Sequence, residues 1–541
     1  MGEKVKRLKG EKAKRFVSLP LCLFASLPLM AIILWNCETI AQEKPTEEPI
    51  QRSVSVEFDT TTISLTLKES ILFAIRNNFD VEIARLNPEI GDLGITIEKS
   101  KFDPTLKVEG NVAEDERWLL GRFITGSVVV LFKPARTDTD IFKSTIEKPF
   151  ETGGKLSIGY GFNYTRNVFE GASDVYGDLV RRYTSFVEAK LTQPLLKGGW
   201  LFYNLSPVYI ARNNKQISTF QFKNTVIQTV DQVQEAYWNL IKAIEDLKVA
   251  RKSLERAKDL LEKNKLQVEA GMLTPIDVLE AEAGVASREE AVISAENEIK
   301  NKEDILKQVI NLSDDSILSD ASIAPIDKPV FDAKKADMPE SIKLALQSRP
   351  DLLETQKKVE NAEISIKQRK NELLPQMDIN GTFRYDGIGG DLGESNKLVT
   401  DTDFESKSLG LTFEIPIGLR SARSNYTKAK LEALQAGLDV KKTEQKVVVD
   451  VRTAVRQINT NIERVYSTRK ARELADKKLD AEGKKFNVGK TTSLEVLRAQ
   501  EDLAMAEGNE TKAIIDYQVS LGDLDVVTAT VLEKNDIHLK E

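Results

Sequence analysis

Cysteine and histidine are almost missing from this chain: 541 residues carry two of the first and one of the second. Cys22 and Cys37 both fall in the N-terminal region, and His538 stands near the C-terminus. A thiol nucleophile, a histidine-based triad and a histidine-rich zinc site are therefore beyond the chain's means, and residues 42–541 hold no disulfide. An excess of positive charge is missing too. Lysine and arginine number 77 against 84 aspartates and glutamates, a formal charge of −7, so nucleic acid is not an expected partner. Acidic residues abound on solvated helix faces without a nucleophile–base pair or metal-ligating cluster, so no enzyme activity, cofactor or metal is expected. What is plentiful is charge: 30% of residues against 41% hydrophobic, so most of the chain meets water. The length exceeds one ordinary core and suits two domains or one elongated duplicated unit.

The N-terminus reads as a targeting segment. Lys4, Lys6, Arg7, Lys9, Lys12, Lys14 and Arg15 precede an apolar run from Phe16 to Trp35, and Thr39-Ile40-Ala41 places small residues before Gln42. Residues 1–41 are thus expected to be a removed signal peptide. Two alternatives stand beside it: a retained membrane anchor, against which Pro20 and Pro28 argue, and lipid attachment at Cys37, for which Trp35 and Asn36 are poor neighbours. Residues 42–65, with Pro45, Pro49 and several glutamates, read as a flexible mature N-terminus.

The rest of the chain is written twice. Val226–Glu282 matches Glu444–Gln500 without gaps at an offset of 218: Val230, Val233 and Ala236 fall on Val448, Val451 and Ala454, and Gly271, Thr274, Val278 and Leu279 fall on Gly489, Thr492, Val496 and Leu497. Ser70–Ala74 resembles Ser341–Ala345, and the Pro104 and Pro375 regions correspond, both at offset 271. Leu191–Leu195 resembles Phe413–Ile417 at offset 222, which places an insertion in the first half between Pro104 and Pro194. The repeats span 66–311 and 340–525, with a linker at 312–339 and a tail at 526–541.

Each repeat reads helix, strands, long helical hairpin. Val226, Val230, Val233, Tyr237, Leu240, Ile244 and Leu247 step by four and three, as do Val448, Val451, Val455, Ile458, Ile462 and Val465, the spacing of a coiled-coil seam. The hairpins are placed at about 205–311 and 420–525, and a helix from Leu205 to Ala270 would be about 100 Å long. After Pro104 and Pro375 the period changes to two, the mark of strands, at about 105–193 and 376–417. Leu106, Val108 and Val112 alternate with polar residues, as do Leu409, Leu411 and Phe413. Apolar-out, polar-in strands of this length suit a transmembrane barrel, with a soluble antiparallel sheet as the alternative. Four strands per chain, or six if the insertion at about 122–182 contributes two, are too few to close one. Open edges cannot face lipid, so several copies must share the barrel.

Phe486-Asn487-Val488-Gly489-Lys490-Thr491-Thr492-Ser493-Leu494-Glu495-Val496-Leu497 resembles the turn that marks the TolC family of outer-membrane efflux channels. Val268–Leu279 is its first-half counterpart, and Leu373-Leu374-Pro375-Gln376 and Leu191–Leu196 are similar to the places where that family's helices enter and leave the barrel. The resemblance covers roughly Thr66 to Leu524. It implies a homotrimer with a twelve-strand β-barrel in outer-membrane lipid, continued by a periplasmic α-helical barrel. Such a duct conducts passively for an efflux pump or type I secretion system, with a periplasmic adaptor and an inner-membrane transporter as partners.

The same resemblance assigns roles at the tips. Gly271 and Gly489 reverse the chain, Pro275 starts the next helix, and Thr274 and Ser493 are candidate caps; with Thr492 these six are expected to dock the adaptor. Asp277, Glu495 and Arg498 are candidates for the pore constriction, where Arg498 replaces an acidic residue common in the family and leaves cation preference open. An ordinary solvated pair between Glu495 and Arg498 at i,i+3 is the alternative. In the family's best-known member a tyrosine and an arginine bond across the tip; the matching Phe486 and Thr491 cannot form that latch with Asp277. The competing reading is a coiled-coil scaffold or adaptor without a pore.

Overall fold

The computed structural model describes residues 62–117, 122–125, 128–131, 135–169, 181–312, 321–402 and 404–539; the expected signal peptide 1–41 lies outside the described residues. The first repeat opens with strand β1 (Thr62–Leu65), then helices α1 (Leu67–Asn77) and α2 (Phe79–Ser100). Strands β2 (Thr105–Arg117), β3 (Arg122–Thr125), β4 (Val128–Leu131), β5 (Ala135–Pro149), β6 (Lys155–Phe169) and β7 (Arg181–Pro194) follow. A hairpin of α3 (Leu201–Glu269) and α4 (Pro275–Ile310) closes the repeat. After β8 (Ser322–Pro325) the second repeat runs α5 (Met338–Ser348), α6 (Pro350–Asn371), β9 (Gln376–Gly389), α7 (Leu392–Thr400), β10 (Glu405–Glu414), α8 (Arg420–Asn487) and α9 (Ser493–Val527), with a last turn α10 (Val531–Lys534).

The duplication is visible in lengths. Helices of 11, 22, 69 and 36 residues in the first half answer helices of 11, 22, 68 and 35 in the second. Local chemistry sets their ends. Thr66 and Glu69 form a reciprocal capping box at α1, and Asn78 accepts from the Asp80 and Val81 amides to start α2. Pro350 opens α6 where no N–H partner is required. At about 1.5 Å per residue, α3 and α8 are each about 100 Å long. The short helices stack against them: α2 and α4 along α3, α6 and α9 along α8. Asn78 donates to the Val309 carbonyl and Asn311 to that of Asn77, so α2 begins where α4 ends.

The apolar seam forms the core. Val226, Val230, Val233, Tyr237 and Leu240 of α3 are at most 1% exposed, and Ile458, Ile462 and Val465 of α8 pack around Tyr517 of α9. In α8 the seam enters at Val447 rather than at Val448, because Val447 faces Ala345 of α5 together with Val451 and Val455.

Two readings of the sequence need correction, and one open alternative is resolved. Residues 62–65 are not part of a flexible tail: β1 pairs in parallel with β8, burying Ile63 and Leu65. The stretch 376–417, expected as strands, also holds α7, capped by Asp391 accepting from the Glu394 amide. Of the two strand counts left open, six is the one found: β10-β9-β7-β6-β5-β2 form one continuous antiparallel sheet, with the inserted β5 and β6 inside it. The backbones of β3 and β4 pair separately.

Candidate functional site

The sheet has two unlike faces, fixed by the two-residue period of its strands. Leu106, Val108 and Val112 share one side with Ile146, Ile158, Leu191, Ile379 and Leu411 through the register of facing pairs, and all are exposed. The opposite side carries Lys107, Glu109, Lys143, Glu147, Lys155, Glu188, Lys190 and Arg384, several of them paired: Lys155 with Glu147 at 2.6 Å, Arg384 with Asp386 at 2.8 Å. An open groove runs over this polar side. An exposed and mainly apolar face opposite a charged one is the arrangement of a sheet with lipid outside and water inside. α7 covers the apolar side of β7 and β9 near its end: Ser395 bonds Ser185, Asn396 meets the Tyr160 hydroxyl, and Gly387 lies so close that a Cβ would stand 2.0 Å from the Ser395 carbonyl.

At the far end of the helices the two tips are built alike. Gly271 and Gly489 have φ of +73° and +70°, a region that glycine enters without the cost a side chain imposes. Gly271 N–H donates to the Val268 carbonyl and Met272 N–H to that of Gln267; 218 residues on, Gly489 donates to Phe486 and Lys490 to Lys485. The following helices start differently. Thr274 and Asp277 form a capping box, with the Thr274 amide and hydroxyl donating to one Asp277 oxygen at 3.0 and 2.7 Å, and Pro275 takes the first helical position. In the second tip Thr492 is the N-cap residue but its side chain makes no cap bond.

Ser493 is not a cap. It is fully buried, and its hydroxyl accepts from the Asn264 amide of α3 at 2.6 Å, while the same amide donates to the Asp277 carbonyl at 3.0 Å. Asn264, itself 0% exposed, thereby ties both tips together. Phe486 does the apolar part: it packs with Leu260, Val496 and Leu497, with Leu273 of the first turn against the same cluster. One helical step further from the tips, Arg256 spans both oxygens of Glu507 at 3.0 and 3.2 Å. Burial alone would raise the Glu507 carboxyl, yet Arg256, helped by Lys252, holds it below the usual carboxylate range.

The candidate constriction residues are not all in one place chemically. Glu495 and Arg498 form an exposed i,i+3 pair at 2.9 Å within this chain. The Asp277 carboxylate is engaged by Thr274. Asn264 and the Arg256–Glu507 pair were missed by sequence reasoning: the seam contains many polar interruptions, and the duplication offers no help, since Asn264 falls on Glu482.

Paired helical hairpins on a two-faced membrane sheet, each hairpin reversing at a glycine, define a duplicated outer-membrane channel subunit. The Outer membrane efflux protein family model matches residues 155–312 and 341–529, well over half of the chain, and the chain belongs to that family. Among curated relatives, it is 24% identical over 321 residues to the outer membrane protein TolC of Vibrio cholerae, covering 58% of this chain and 70% of that one. It is 25% identical over 331 residues to the outer membrane efflux protein BepC of Brucella suis, covering 60% and 68%. The fold is shared with the Campylobacter jejuni CmeC outer membrane channel (TM-score 0.61, 16% identity, 87% of this chain and 90% of that one). It is shared also with the open-state MtrE channel of Neisseria gonorrhoeae (TM-score 0.59, 17% identity, 86% and 89%). The protein is an outer-membrane efflux component that extends into the periplasm.

Proposed function

We propose that three copies of this chain form a hollow exit duct, passively conducting substrate that an inner-membrane transporter delivers through a periplasmic adaptor, as an efflux pump or type I secretion outlet. The observation that carries this reading is a pair of exposed apolar stripes in line with the two sheet edges. On α2, Ile83, Leu86, Ile90, Leu93 and Ile97 recur at three and four residues and are 47–63% exposed. On α8, Leu431, Leu434 and Leu438 are 57–62% exposed. The helices below the sheet pack in the order α2, α3, α6, α8, so these stripes lie at the two ends of the row. Such a seam-like spacing is a surface for another helix, and joining α8 of one copy to α2 of the next continues the row until it closes.

The polar sheet face then points inward, and no group in the duct needs to do chemistry. At the tips, Met272, Ile276 and Leu279 of the first hairpin and Val488 of the second are exposed apolar groups beside Gly271, Thr274, Pro275, Gly489, Thr492 and Ser493. Helices of an adaptor hairpin would cover them. Glu495, Arg498 and Asp277 are kept as the candidate constriction, three copies of each meeting around the axis.

Light scattering of the detergent-extracted protein should give three times the chain mass, and Ile90→Asp with Leu434→Asp should lower it to one chain. A wild-type protein that is a detergent-independent monomer refutes the duct. In planar bilayers, current steps whose size or ion selectivity changes with Glu495→Ala support the constriction; steps identical in both remove Glu495 from it.

A further inference from the structure

We propose that the shared membrane barrel of this protein has eighteen strands, six from each of three copies, with Leu106–Val112 of β2 pairing with β10 of the next copy. The proposal rests on the three-copy duct above. Twelve strands correspond to four per chain; here the inserted β5–β6 pair lies within the sheet rather than outside it. β5 bonds along its length to β2 and to β6, and β6 to β7, in unbroken registers. Near the helices, Phe142, Ile146 and Ile158 lie on the apolar side and Lys143 and Glu147 on the charged one, while farther along β5 Asp140 stands on the apolar side opposite Val112.

The insertion is also fastened at its base. The turn between β5 and β6 is held by Gln193, whose amide donates to the Thr152 carbonyl. Gly153, at φ +84°, sits so close to the chain entering α3 that a Cβ would stand 2.1 Å from the Gly198 carbonyl. A hairpin hanging outside the barrel has no need of that fit.

Closure follows from direction. Six alternating strands leave β10 and β2 running oppositely, so edge joins edge as an antiparallel pair, and both edges carry apolar residues on the same side of the sheet. An edge left open to lipid would cost several kcal/mol per unpaired group. Size fits as well. At about 4.8 Å between strands and a tilt of about 40°, each strand occupies about 6.3 Å of circumference. Eighteen take about 113 Å and twelve about 75 Å, or backbone diameters of about 36 and about 24 Å. The twelve helices beneath, four per copy at about 9 Å, take about 108 Å. An eighteen-strand barrel meets that ring without a neck, so the membrane end is not the narrow part of the passage.

Residues 42–541 contain no cysteine, so introduced pairs can be read cleanly. Within one chain the two edges lie five strand spacings apart, about 24 Å, beyond a short bismaleimide. Leu411→Cys is combined in turn with Leu106→Cys, Val108→Cys or Val112→Cys, and separately with Ile158→Cys, in outer membranes. At least one of the β2 pairings should give linked dimers and trimers and nothing larger, and the Ile158 pairing should not link. Linking through Ile158 instead would mean that β2 and β5 lie outside the wall, overturning eighteen strands while leaving the trimer intact. Failure of every pair in protein of trimeric mass overturns the edge pairing; monomeric mass of the unlinked protein overturns the duct itself.

Discussion

Phe486→Ala tests whether the tips are held together by apolar packing where the family's best-known member uses polar bonds. Phe486 is 5% exposed and touches Leu260, Val496 and Leu497, with Leu273 and Leu479 completing its surroundings. Truncating a buried phenylalanine costs about 3–5 kcal/mol, transfer and cavity together. The cluster lies at the free end of two hairpins about 100 Å from the membrane sheet, so the loss should appear as local opening. Taking about 3 kcal/mol, opening of the tip becomes about a hundredfold more frequent, since about 1.4 kcal/mol is a factor of ten. Hydrogen exchange followed by mass spectrometry should show that acceleration at 260–276 and 484–498, with little change around Val451–Val465. Channel steps should be larger or open more often. Unchanged protection at the tips, or an equal loss along the whole helix, would refute the reading of Phe486 as the apolar tie between the tips.

Asp523 supplies a pH dependence. Burial, with Asp231 and Glu235 nearby, pushes its carboxyl up to about 6. The folded chain therefore keeps a proton that the unfolded chain releases, so this contribution is full below about pH 4 and is lost as pH rises through about 6. About two pKa units correspond to about 3 kcal/mol as a ceiling, reduced to about 1–2 by partial solvent access. Asp523→Asn should raise denaturation midpoints above pH 7 and not below pH 4; parallel curves for both proteins would refute it. Tyr237→Phe should cost about 1.5–3 kcal/mol in chemical denaturation, because the fully buried hydroxyl donates to the Asp327 carboxylate at 2.7 Å. Gly489→Val should lose about 1–2 kcal/mol through φ +70° alone, as nothing stands within 4 Å of a Cβ there, and Gly489→Asn should lose less. Equal losses for the two would point to a packing role instead.

What was legible in the sequence was whatever repeats. Seam residues from Val226 to Leu240 declare a helix because the core selects one face every 3.5 residues, and Gly271 and Gly489 declare the turns because a reversal there needs positive φ. The ties between hairpins were not legible. Asn264 reaches Ser493 across 229 residues, and nothing local distinguishes it from the solvated polar residues around it. Ser493 looked like a cap for the same reason: its type fits an N-terminus, and only the partner helix shows that its hydroxyl is used elsewhere. α7 was hidden by its shortness, nine residues with a helical period too brief to stand out between strands.

The strand count shows a different limit, and its resolution has a physical rule behind it. The stretch at about 105–193 reads as strand-like, but periodicity cannot say whether a hairpin inserted in it lies in a wall or outside it. Membership in the wall is decided by both neighbours, and here β2 and β7 supply them. Only insertion of a whole hairpin leaves the outer strands of the sheet with unchanged directions. A single added strand would turn β10 and β2 parallel to each other, and their joint could no longer continue an antiparallel barrel. Two added strands keep the joint and every helix connection, and widen the ring by the width of two strands per copy. A duplicated channel chain can therefore broaden its membrane end without altering the helical surfaces on which its assembly and its docking depend.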